Sequence, residues 1–201
     1  LGEALLALGR IEAKRGAYVT AEARLQRALG LAELGDDLRR AARAHEDLSY
    51  VDLDQRLLAA ALAQASAALA RLGSAAGRAR ALERLAVIFL FQGDSEDALA
   101  AAERSLAAAK EPGGNVAAAA LALQVRANAL RRLGRHDEAH ADLDRALAIR
   151  RAIGDPREEA WLLARLGQLG AELDRAEEAL KYYREALDIW TRLEEWRPAA
   201  W

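Results

Sequence analysis

Five stretches of this chain can be laid on one another, and that recurrence limits its fold more than any other feature. They are GAYVTAEARLQRAL from residue 16, DQRLLAAALAQASA from 54, GDSEDALAAAERSL from 93, GRHDEAHADLDRAL from 134 and DRAEEALKYYREAL from 174. Their first residues, Gly16, Asp54, Gly93, Gly134 and Asp174, stand 38, 39, 41 and 40 positions apart. Each is a residue suited to leaving one helix and starting another. Five positions on comes Ala21, Ala59, Ala98, Ala139 or Ala179, and twelve on comes Ala28, Ser66, Ser105, Ala146 or Ala186. Position thirteen holds Leu29, Ala67, Leu106, Leu147 or Leu187. Small side chains at two places on a helix let a neighbour approach near the short end of the usual range of roughly 8–10 Å, with leucine filling the groove beside them. A second amphipathic helix lies upstream of each start, with Leu5, Leu8 and Gly9 in the first unit and Leu163, Leu166 and Gly167 in the last. Helix pairs that recur at such a period stack as a solenoid.

Composition agrees. Hydrophobic residues make up 53% of the chain but aromatic ones only 5%, and 30% are charged, so the apolar content is mainly alanine and leucine. That mixture builds long helices rather than sheet. The formal net charge of −2 gives no strongly basic face for nucleic acid. There is no cysteine, which excludes disulfides and thiolate metal sites. No run approaches the roughly 18 apolar residues of a membrane span, and no secretory signal pattern opens the chain. A cytoplasmic location is expected. Methionine is absent, even at residue 1, so the chain is expected to be part of a longer protein. The periodicity predicts helices near 2–15, 18–34, 37–52, 55–72, 76–92, 95–111, 115–133, 136–153, 156–173 and 175–195, with N-caps at Asp36, Asn115 and Asp155 and Pro156 as a first helical residue.

These residues resemble the signature of the tetratricopeptide repeat over essentially the whole chain. The anchor glycine, the alanine five on and the Ala-Leu pair at twelve and thirteen carry the likeness. So does Leu-Gly eight and seven before the anchor in the first and last units. In the middle units Glu46-Asp47, Leu85-Ala86 and Arg126-Ala127 stand there instead. The spacing is longer than the family's usual 34 and is similar to repeats of kinesin light chains and of large bacterial signalling proteins, where they follow an ATPase or DNA-binding module. The wording ALAIRRAIGDPREEAW, from 146, is especially like the bacterial group. The resemblance implies an all-α, right-handed superhelix of five helix pairs, about 2–36, 37–74, 75–114, 115–155 and 156–195, with a tail at 196–201.

His136 and His140 invite a metal reading, since His-x-x-x-His puts two imidazoles on one helical face. Asp137 follows where a zinc hydrolase needs glutamate, and the third histidine, His45, is two repeats away. The repeat places both at half-buried packing positions, His136 in the slot that Tyr18 fills in unit one and His140 in the slot of Leu99 and Leu180, so no metal and no cofactor is expected. No phosphate-binding loop, G-x-S-x-G elbow or cysteine nucleophile occurs, and no enzyme is expected.

The resemblance further implies that the first helix of each pair lines a concave groove. Its groove-facing positions select Arg10 and Lys14 in unit one, and His45, with Leu48 and Asp52, in unit two. Unit three contributes Arg80, Glu83, Arg84 and Phe91, unit four Gln124, Asn128 and Arg132, and unit five Trp161, Arg165 and Gln168. Arginine forks onto carboxylates and amides bond to peptide backbone, so the expected partner is a protein or peptide segment. Some relatives hold a chaperone's C-terminal carboxylate with a Lys, Asn, Asn, Lys, Arg set. This chain has Leu6, Arg10, His45, Arg80 and Arg84 in those places, of which only the last two are similar. The expected setting is the sensor or scaffold part of a larger bacterial regulator. A structural alternative is an oligomerising spacer that self-associates through its C-terminal end, where Trp190, Trp196 and Trp201 gather.

Overall fold

The computed structural model describes residues 1–195; Trp196 and Trp201 lie outside the described residues. The elements are α1 Gly2–Lys14, α2 Tyr18–Leu34, α3 Leu38–Asp54, α4 Leu58–Arg71, α5 Ala75–Gln92, α6 Ser95–Lys110, α7 Val116–Arg132, α8 His136–Ile153, α9 Pro156–Glu172 and α10 Ala176–Glu195. Each odd-numbered helix packs on the even-numbered helix that follows it, and each even-numbered helix packs on the next odd one. The loops inside the pairs are three residues long or close to it, which makes the partners antiparallel. The fold is therefore an all-helical solenoid of five pairs.

Each pair turns on a residue held in the left-handed region. Gly16, Gly93 and Gly134 supply it with φ of 76°, 95° and 75°, and Asp174 supplies it at 59°. In the second unit the turning residue is Arg56, with φ of 62°, and not Asp54, the last residue of α3. This moves the expected register of that unit by two positions. Counted from Arg56, the small residues are Ala61 and Ala68 and the leucine is Leu69. Ala61 is 0% exposed, as are Ala21, Ala98 and Ala139 in the equivalent place. Ala59 and Ser66, expected to pack, face solvent. The Leu-Gly slot of this unit is filled by Leu48 and Ser49, both buried, rather than by Glu46 and Asp47.

The small residue seven before each turn is matched by the residue nine after it. A methyl group built on Gly9 would stand 2.7 Å from Leu25, and one on Gly167 would stand 3.0 Å from the Tyr183 ring. Where the slot holds Ser49 or Ala86, the facing residue shrinks to Ala65 or Ala102, both buried. In these four units the two side chains trade volume, whereas unit four buries Leu143 together with Ala127. Unit four adds charge at this seam: Arg126 donates from Nε and Nη2 to the carboxylate of Asp142, both bonds 2.6 Å, and Asp142 is buried. Caps close the helix starts between units. Asn115 accepts from the amides of Ala117 and Ala118, and Asp155 from that of Glu158. At the start of α3 the cap is Asp37, which accepts from Arg40, while Asp36 takes the left-handed turn with φ of 51°.

Candidate functional site

Three depressions of the surface run along the odd-numbered helices, and a wider one of about 910 Å³ lies at the loops before α3 and α5. The central one has a volume of about 460 Å³ and is lined from α1 by Arg10, from α3 by Arg43, Glu46, Asp47 and Tyr50, and from α5 by Arg80, Glu83 and Arg84, with Leu121 of α7 at its edge. These are the positions that a turn at Arg56 brings onto the odd-helix face. A second depression of about 290 Å³ continues toward Lys14 and Asp54. A third, about 260 Å³, lies between α5, α7 and α9 and includes Phe91, Asn128, Arg132 and Arg165.

Inside the central depression the charges are unevenly satisfied. Arg10 Nε is 3.2 Å from Asp47 Oδ2, Arg80 Nη2 is 3.4 Å from Glu46 Oε2, and Arg43 reaches out to Glu3 at 3.4 Å. Arg84 lies on the ring of Tyr50, its guanidinium carbon 3.3 Å from the centroid, and among the described residues it forms no ion pair. The acids are held unfavourably. Burial pushes the Asp47 carboxyl up to about 6, with Arg10 pulling the other way and Glu46 adding repulsion. Burial raises Glu46 and Glu83 too, against the attraction of Arg80 and of Arg84 respectively. Glu46 Oε1 is buried without a hydrogen-bond partner.

The other expected groove residues are placed as follows. Arg132 donates to the carbonyl of Leu90 and so ties α7 to α5. Trp161 is exposed with Arg165 5.8 Å from its ring, and the Nε of Arg165 is buried without a partner. Gln168 donates to Glu172 on its own helix, and Gln124 is half-buried. His45 is not on the groove face. It is 7% exposed and its Nδ1 donates to Gln64 of α4, inside the pair. Leu48 and Asp52 are buried with it. The two-residue error at Asp54 placed these three in the groove and hid Arg43, Glu46, Asp47 and Tyr50. The signal that could have found them is the run Ala61, Ala68, Leu69, which repeats the pattern of the other units from Arg56.

The histidine pair of α8 is accounted for without a metal. His140 sits between Asp144, 3.0 Å from its Nδ1, and Glu178 of α10, 3.3 Å from its Nε2. Among the described residues no three His, Asp or Glu side chains are grouped to hold a metal ion. Among them, too, no helix is long and apolar enough to cross a membrane.

A family model described as the tetratricopeptide repeat matches residues 116–192. Solved structures extend the likeness of fold over nearly the whole chain. The family match covers residues 116–192, and over the rest of the chain the likeness is one of fold. The chain is similar to BtubC (BKLC) from P. vanneervenii at 20% identity, over 99% of this chain and 83% of that one, with a TM-score of 0.83. It is similar to RapI in its apo form at 19% identity, over 96% and 72%, with a TM-score of 0.83. A kinesin-light-chain-type protein of Podosopora anserina with nearly identical TPR-like repeats aligns at 15% identity over 96% of each chain, with a TM-score of 0.72. At these identities the structures show the shared fold. No curated protein matches the sequence. Within the tetratricopeptide frame, the place in unit two expected for His45 belongs to Asp47. An acid there would repel a terminal carboxylate, so the chaperone-holding set fits this chain even less well than its sequence implied.

Proposed function

We propose that the odd-helix face is a non-catalytic docking groove for a protein or peptide segment, and that the central depression receives an acidic side chain of that partner. The observation that carries this reading is the arginine set. Arg10, Arg43, Arg80 and Arg84 face three carboxylates, leaving one net positive charge when all are ionised. Arg84, oriented by the Tyr50 ring, presents donors that no carboxylate occupies. Stacking fixes the plane of a guanidinium and so lowers the entropy lost when it forks onto a carboxylate. Asn128 and Arg165 in the neighbouring depression offer backbone and side-chain bonds further along the same segment. The reading includes a place as sensor or scaffold in a larger bacterial regulator in the cytoplasm, acting on a protein partner and not on nucleic acid or membrane.

The test is selection of a random peptide library on the purified protein. Acidic peptides are expected to enrich, and Arg84→Glu is expected to weaken them by about 10- to 100-fold, the size of a lost charge-assisted bidentate bond of roughly 1.5–3 kcal/mol. Selected peptides that bind Arg84→Glu as well as wild type would overturn the groove reading.

A second reading, the oligomerising spacer that uses its terminal surfaces, is favoured by a separate observation: Leu180 and Leu187 on α10 are exposed, whereas their equivalents in unit three, Leu99 and Leu106, are buried.

A further inference from the structure

The third depression, between α5, α7 and α9, is lined by no carboxylate. Its floor is apolar and includes Val125, and its rim carries Asn128 and three arginines. Two of the three are engaged. Arg131 donates to Glu172 at 2.9 Å and Arg132 to the carbonyl of Leu90. Arg165 forms no ion pair among the described residues, and its Nε–H is covered from solvent without an acceptor. A charged donor that loses water and gains no partner is destabilising, and an anion is the group that relieves it. Helices pack on both sides of α5, α7 and α9, so this seat belongs to the interior of the array and not to its ends.

Arg165 also repeats Arg84. Each stands nine residues before the turn of its unit, at Asp174 and Gly93, and in the unit between them the same place holds Val125. Each has an aromatic ring beside its guanidinium, Tyr50 at 3.3 Å for Arg84 and Trp161 at 5.8 Å for Arg165. Stacked units bring equivalent positions into one row along the groove. The row therefore reads arginine, valine, arginine across α5, α7 and α9. Two steps between neighbouring helices, at roughly 8–10 Å each, separate the arginines by about 16–20 Å. Extended chain rises about 3.3 Å per residue, so about five or six residues cover that span. Side chains alternate along such a chain, and only an even separation turns both toward the groove. A separation of six satisfies both conditions.

We infer that Arg165 is a second anion seat of the groove. The partner segment is extended and carries acidic side chains six residues apart, one on Arg84 and one on Arg165, with an uncharged residue over Val125. This deepens the docking-groove reading and rests on it, naming the chemistry of the segment that the groove takes. Arg84 alone would accept any acid; Arg165 adds a requirement for spacing.

The experiment is calorimetric titration of the 201-residue protein with synthetic peptides built around the acid that Arg84 recognises in a library-selected sequence. All other residues are neutral, and a second glutamate is placed three, six or nine positions away on either side. Wild type is expected to bind the six-residue spacing about 10-fold more tightly than the single-acid peptide. The three- and nine-residue spacings should bind about as tightly as the single acid. Arg165→Gln, whose helix content is checked by circular dichroism, should bind all of the peptides alike, at the single-acid affinity. Arg84→Glu should weaken every one. If the six-residue spacing gives wild type no advantage, or if the advantage survives Arg165→Gln, the second seat is not there and the inference falls, while weakened binding by Arg84→Glu keeps the groove reading. If Arg84→Glu binds every peptide as wild type does, both fall.

Discussion

The contact between Gly9 and Leu25 can be taken apart by a mutant cycle. A methyl group at residue 9 would meet Leu25 carbons at 2.7 Å and the carbonyl oxygen of Ala21 at 3.3 Å. Carbon atoms in ordinary contact sit about 3.5–4.0 Å apart, so Leu25, which is fully buried, must move by close to an ångström. Overpacking of that kind costs about 1–3 kcal/mol, while the better helix propensity of alanine returns up to about 1 kcal/mol. Gly9→Ala should therefore destabilise the first unit by about 1–2 kcal/mol. Leu25→Ala leaves a cavity and should cost about 2–5 kcal/mol. In the double variant the new methyl group occupies part of that cavity, recreating the Ala86–Ala102 arrangement of unit three. The double variant should be less destabilised than the sum of the single ones by about 1–2 kcal/mol. Hydrogen exchange of α1 and α2 amides is the suitable readout, since terminal repeats of a stacked array open locally. Additive effects, within about 0.5 kcal/mol, would refute the claim that these two side chains share one volume.

Two more outcomes follow from the register and the buried acids. Ala61→Leu should destabilise by about 1–3 kcal/mol in chemical denaturation because Ala61 has no exposed surface, whereas Ala59→Leu should stay within about 0.5 kcal/mol; the opposite order would restore the turn to Asp54. For Asp47, a carboxyl raised from 3.8 to about 6 binds its proton more tightly when folded, so its contribution to stability falls as pH rises between those values and is level above them. Asp47→Asn should therefore gain on wild type as pH rises through that window, by on the order of 3 kcal/mol, a figure in which the attraction of Arg10 is already contained. A variant that instead gains toward low pH would contradict the burial of this acid. The same protonation leaves the central depression more positive, so an acidic peptide should bind more tightly below pH 6 than above it.

Much of the fold was legible because packing fixes chemistry at a distance. Alanines 21, 98, 139 and 179 could be small only where a neighbour presses on them, and Asn115 and Asp155 could be read as caps because their side chains accept from amides two or three residues on. Unit two departs from its expected register for a physical reason. Around α4 alanine fills exposed positions (59, 60, 63 and 70) as well as buried ones, so the small-residue pattern has two equally good alignments there. The tie was broken by turn chemistry, which favours aspartate at 54. Arginine seldom adopts the left-handed conformation, and Arg56 does so here with its guanidinium 4.7 Å from the centre of the Phe91 ring. That contact belongs to the next unit and is invisible along the chain. The candidate site suffered in proportion. Residues of units one, three, four and five could be assigned by counting back from correct turns. The stacking of Arg84 on Tyr50 and the crowding of Glu46, Asp47 and Glu83 depend on the register between units.

The groove itself is tested most directly by mapping a bound peptide. With a peptide selected as above, amide and side-chain chemical-shift changes should concentrate on α1, α3 and α5, strongest at Asp47, Tyr50, Arg80 and Arg84, and leave the outer faces of α2, α4 and α6 unchanged. Changes centred on those even-numbered helices, or on α10 alone, would contradict the account.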